Sequence, residues 1–153
     1  MAPSTKKLRV FNPATALAEA KVGRLTGAAL KKAIATAQEF GNTQAAEQLK
    51  LYVVQPTSFA GDAAPMDIRE RAAQGISALM AMGHSLNRTK QMLKKHGLIE
   101  TMNRIAKYPD STKNFDRLCA AGLEHLTAEA IVLDFPNLFE PRAVEVARKR
   151  LNR

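Results

Sequence analysis

Apolar residues in this chain recur every three or four positions, in short runs punctuated by glycine. Ala29, Leu30, Ala33, Ile34 and Ala37 lead to Gly41, and Ala45, Ala46, Leu49 and Val53 follow it. Ile76, Leu79 and Met80 lead to Gly83; Leu98, Ile99, Met102, Ile105 and Ala106 follow Gly97; Phe115, Leu118 and Cys119 lead to Gly122. That spacing puts each run on one face of a helix, whereas a half-buried strand needs strict alternation. The filler between these positions is Ala, Leu, Lys, Arg and Gln, all good helix formers. β-Branched residues cluster only at Tyr52-Val53-Val54 and Ile131-Val132, and both continue helical patterns. The expected fold is therefore all-α, a multi-helix orthogonal bundle of about seven to nine short helices with no sheet.

Boundary residues divide the chain further. Asn12 before Pro13, Thr26, Asn42 or Thr43, Ser85, Asp110 or Ser111, and Thr127 are N-cap types, and Pro13 and Pro141 suit first helical positions. Residues 1–12 read as a flexible basic arm and 13–54 as a small N-terminal helical unit. Residues 55–65, QPTSFAGDAAP, read as a linker. Residues 66–153 read as a helical core with a helix-turn-helix-like segment at 85–107. Within that core, Phe135, Leu138 and Phe139 are expected as plugs between Pro136 and Pro141, and Met66, Met80, Met82, Met92 and Met102 mainly as packing. A chain of 153 residues can bury such a core without staples.

The formal charge is +9 and the pI about 10.0, a balance that favours an anionic partner. More than half of that excess lies between Gly83 and Lys107, where six cations face one acid, Glu100. Lys6, Lys7 and Arg9 add to it at the start, and Arg148, Lys149, Arg150 and Arg153 at the end. No apolar run approaches the ~18 residues of a membrane span. No apolar segment follows the basic start, so no secretory signal is read and a cytoplasmic protein, with no membrane partner, is expected.

Signs of catalysis are missing from the sequence. Cys119 is the single cysteine, which excludes an intrachain disulfide, and its place on an apolar side suggests a buried small hydrophobe. His84, His96 and His125 have no ligand partner at metal-binding spacing. No phosphate-cradling glycine loop or nucleophile elbow occurs. Asp67 and Glu70, beside Arg69 and Arg71, suit a helix start. The expectation is a non-enzymatic protein with no cofactor and no metal.

Residues 85–107 resemble a DNA-binding helix-turn-helix, with Leu93 and Leu98 bridging the joint and Gly97 at the turn. That resemblance implies that Arg88, Lys90, Lys94 and Lys95 hold phosphates. Thr101, Asn103, Arg104 and Lys107 would then approach bases, since Asn pairs bidentately with adenine and Arg with guanine. Lys6, Lys7 and Arg9 would reach a neighbouring groove. The segment departs from the motif in two ways: Met102 and Ile105 fall one residue early, and Leu93 fills a position that is usually small. The competing account is an amphipathic helix pair with a solvated basic face. Residues 39–49, with a Gly-Asn joint before Ala45-Ala46-x-x-Leu49, resemble the first half of a Fis-type helix-turn-helix, but the second half is missing and a packed hairpin explains them. Residues 126–139 resemble one unit of the helical repeats of mitochondrial transcription termination factors, which stack many such units.

The expected function is a small DNA-binding regulator or accessory factor, in transcription regulation or a neighbouring process. DNA is preferred over RNA because sequence-specific RNA readers stack bases on aromatic rings, which are scarce here. A homodimer would engage two half-sites. The alternative is a helical adaptor module that binds an acidic or helical protein partner.

Overall fold

The computed structural model describes residues 11–59, 64–108 and 113–152, and among them every regular element is helical. The chain divides into two compact units between Val53 and Val54.

The first unit holds α1 (Pro13–Lys21), α2 (Gly27–Glu39) and α3 (Thr43–Lys50). Asn12 caps α1 by accepting from the Thr15 amide at 3.2 Å, and Asn42 caps α3 by accepting from the Ala45 amide at 3.1 Å. Each satisfies a backbone donor that the first helical turn leaves without a partner. Thr26 occupies the N-cap of α2 without a side-chain bond. Ala20, Leu30 and Leu49 form one buried cluster, and Ala37, Ala45 and Ala46 another. Phe11 stacks on Phe40 with ring centroids 6.3 Å apart. The Fis-like stretch is thus the joint and inner face of an α2–α3 hairpin. Helix α3 stops at Lys50, so Tyr52-Val53-Val54 does not continue it as the sequence suggested.

The second unit holds α4 (Met66–Ala81), α5 (Asn87–His96), α6 (Leu98–Lys107), α7 (Lys113–Ala120), α8 (Ala128–Asp134) and α9 (Pro141–Leu151). Turns of 3₁₀ helix lie at Pro56–Phe59, Glu124–Leu126 and Pro136–Leu138. The core joins Ile68, Ala72 and Ala73 of α4, Leu98, Met102 and Ala106 of α6, Ile131 and Val132 of α8, and Ala143 and Ala147 of α9. Phe59 and Ala64, from the expected linker, belong to this core. So does Phe139, as expected, whereas Leu138 is exposed. Met80, expected on the inner stripe of α4, is exposed too. Alanine at several of the contact positions lets α6, α8 and α9 pack closely together.

Two local features shape this unit. A Cβ on Gly75 of α4 would lie 2.8 Å from the Leu126 carbonyl oxygen, so the glycine lets the 3₁₀ turn before α8 press against α4. Arg71 reinforces that contact, donating to the His125 carbonyl at 3.1 Å and pairing with Asp134 at 2.6 Å. Thr127 caps α8, as its sequence position predicts, by accepting from the Ala130 amide at 3.1 Å.

Candidate nucleic-acid interface

Gly97 is the whole joint between α5 and α6. Its φ of 80° and ψ of 173° fall in a region essentially reserved for glycine, and the reversal there sends the two helices into different surroundings.

Helix α5 has no buried residue. Arg88, Lys90, Lys94 and Lys95 are exposed, while Thr89, Met92, Leu93 and His96 are half-buried. On a 3.6-residue helix the first group shares one half of the circumference with Asn87 and Gln91, and the second group shares the other half. The outward half is thus wholly cationic or polar. None of its four cations makes an ion pair or hydrogen bond among the described residues. The N-cap is Leu86, without a side-chain bond, rather than Ser85. Lys94, Lys95 and His96 occupy the last turn, where positive charge also suits the helix dipole.

Helix α6 runs inward, and here the structure corrects the sequence. Thr101 and Asn103, expected to face bases, are 1% and 5% exposed. The buried arc of α6 is wider than its apolar stripe because α5, α8 and α9 all pack on it. Thr101 follows Leu98 and precedes Ile105 by one turn, on one flank of the stripe; Asn103 stands one turn from Ile99 and Ala106, on the other. Asn103 Oδ1 accepts from the Glu140 amide at 2.9 Å, bracing the start of α9. The Thr101 hydroxyl has no hydrogen-bond partner among the described residues. Arg104 pairs with Glu100 at 3.1 Å, and Lys107 with Glu140 at 2.6 Å. The four residues expected to read bases are therefore two buried side chains and two cations already matched by carboxylates.

The C-terminal cations also divide. Arg150 turns inward, pairing with buried Glu129 at 2.7 Å and donating to the carbonyls of Ile105 and Tyr108 at the end of α6. Burial pushes the Glu129 carboxyl above the ordinary glutamate range, and the hydrogen bond from Arg150 opposes that only in part. Lys149 pairs with Glu145 at 3.4 Å, and Arg148 is exposed. Lys6, Lys7, Arg9 and Arg153 lie outside the described residues.

Cys119 is half-buried rather than a core residue. Partial burial raises its thiol pKa, and Glu124, Glu129 and Asp116 raise it further. A thiol so placed carries little thiolate and is a poor nucleophile. Among the described residues no helix is long and apolar enough to cross a membrane.

No protein-family model, curated protein or solved structure matches this chain.

Proposed function

We propose that this protein binds nucleic acid, duplex DNA in particular, by holding the phosphate backbone with the outward half of α5, and that it acts as a small non-enzymatic accessory factor or regulator. One observation carries the reading: Arg88, Lys90, Lys94 and Lys95 are exposed together on one helix with no carboxylate matched to them among the described residues. Helix α5 has ten residues and is therefore ~15 Å long, a length over which B-DNA presents about nine charges. Lysine and arginine on such a face can each displace a condensed counterion, and the released ions drive association. With Thr101 and Asn103 inside the core, and Arg104 and Lys107 matched by Glu100 and Glu140, base readout by α6 has no unengaged side chain among the four expected readers. The binding is accordingly sequence-tolerant, as phosphate contacts carry no sequence information directly.

Titration of random duplex at several salt concentrations tests this. Four phosphate contacts give a log–log slope of affinity against salt near −3.6, so raising salt fourfold weakens binding roughly 150-fold. Lys94→Glu/Lys95→Glu removes two contacts and brings the slope to about −1.8 or shallower. Equal behaviour of the two proteins would remove α5 as the contact surface. Salt-sensitive binding to a polyglutamate chain but not to DNA would assign the face to an acidic protein instead.

A further inference from the structure

The inner side of α5 closes over a cavity of about 320 Å³ within the second unit. Ile76 and Leu79 of α4, Met92 and Leu93 of α5, Ile105 of α6 and Phe115 of α7 supply apolar wall. Pockets of this character, mostly apolar with a few placed polar groups, are the usual form of small-molecule sites. The polar groups here are specific. Thr101 lines the cavity, is 1% exposed, and its hydroxyl has no partner among the described residues. An orphaned hydroxyl of that kind is expensive to keep buried. Glu129 also lines the cavity, but Arg150 already occupies its carboxylate. Exposed Arg88 and Lys113 and half-buried Arg117 line it as well, with Arg117 donating to Asn114 at 3.2 Å. The lining is therefore largely apolar, with the hydroxyls of Ser85, Thr89 and Tyr108 in the wall beside that of Thr101, cations where it meets solvent, and, among the described residues, no unmatched acid.

We infer that this cavity binds a small apolar carboxylate whose body carries a hydroxyl or carbonyl, with the carboxylate at Arg117 and Lys113 and the second polar group at the Thr101 hydroxyl. A volume of about 320 Å³ stands at the lower end of the range for small-molecule sites, about 300–1,000 Å³. An aromatic or short-chain acid is the fitting size. Thr101 lies inside and the cations outside; its hydroxyl oxygen is closed to a water-sized group, so the ligand's second polar feature meets it through a turn of the Thr101 side chain, at the end away from the carboxylate. The inference goes beyond nucleic-acid binding and does not depend on it.

Calorimetric titration of the full chain with 4-hydroxycinnamate, cinnamate and 4-hydroxycinnamamide tests both ends. The wild type is expected to bind 4-hydroxycinnamate at one saturable site. It should prefer that acid to cinnamate by about fivefold and to the neutral amide by about tenfold or more. Thr101→Val, which keeps the side-chain shape, should erase the first preference and leave the second. Lys113→Gln/Arg117→Gln should cut the second to a few-fold at most, Arg88 being the one lining cation left, and leave the first. Thermal melting without ligand checks folding, and Thr101→Val should melt at or above the wild type because it removes an orphaned hydroxyl. Absence of saturable binding to all three compounds would overturn the inference, as would preferences that persist unchanged in the variants. Arg88 borders the cavity as well as the cationic face of α5, whereas Lys94 and Lys95 do not; Lys94→Glu/Lys95→Glu should therefore leave all three affinities unchanged, and the two readings fail separately.

Discussion

Helices α5 and α6 are neighbours of equal length, each ten residues, and each carries cations, yet they do opposite work. In α5 all four cations point to solvent and no residue is buried. In α6 five residues are buried, and both cations are held by carboxylates, one from its own helix and one from Glu140. The difference lies in what surrounds each helix. Both helices border the cavity, but α5 has packing on one side only, whereas α6 is packed by α5, α8 and α9. A positive charge count locates a basic segment; the partners of each charge decide whether it remains available to an anion.

The largest effect that would sharpen the contrast comes from the clamp on α6. Glu129 and Arg150 are buried together, and Arg150 also satisfies the Ile105 and Tyr108 carbonyls that a helix end leaves exposed. Glu129→Ala leaves that guanidinium without its carboxylate and should cost about 3 kcal/mol in denaturant unfolding. The pH dependence has a definite sign. Burial holds the folded Glu129 pKa above its unfolded value, so protonation favours the fold. Its stabilising contribution is full below the ordinary value near 4.5 and is lost as pH rises through the elevated folded value. The melting-temperature advantage of wild type over Glu129→Gln should therefore shrink as pH rises through that window. An advantage that grows with pH would mean that attraction to Arg150 outweighs burial.

Next in size is Asn103→Ala. The lost hydrogen bond leaves the Glu140 amide without its side-chain acceptor, at a cost of about 1–2 kcal/mol. The same variant should bind duplex DNA as tightly as wild type once the folded fraction is equalised. Weaker binding would put α6 back among the contact elements and break the division between the two helices.

Much of the helical architecture is legible in the sequence because its signals are local. Asn12, Asn42 and Thr127 cap where their residue types predict, and Leu98, Met102 and Ala106 are buried where their spacing places them. What the sequence does not carry is how many neighbours a helix has. Thr101 and Asn103 are polar, so a one-sided packing model puts them outside; three packing partners widen the buried arc until it takes in both flanks of the stripe. Arg150 sits in a basic run that reads as surface, and only the distant Glu129 turns it inward. The cavity is equally silent in sequence, since its wall draws on α4, α5, α6 and α7 at once. The four cations of α5 were legible because their helix has one packed side and one free side, which is the situation that periodicity describes.

The smallest expected effect falls on the outer edge of α6. Arg104 and Glu100 form a pair one turn apart, at 3.1 Å, with each side chain more than a third exposed. Exposed pairs at this spacing contribute about 0.3–0.5 kcal/mol, because water screens the attraction and both side chains lose rotamer freedom. Arg104→Gln should therefore shift denaturant unfolding by no more than about 0.5 kcal/mol. It should also leave the salt slope of DNA binding unchanged, since the guanidinium is already matched by a carboxylate. A slope shallower by about 0.9 would show that Arg104 leaves Glu100 to meet a phosphate. The binding face would then extend across Gly97 onto the exposed edge of α6, with Thr101 and Asn103 still buried behind it.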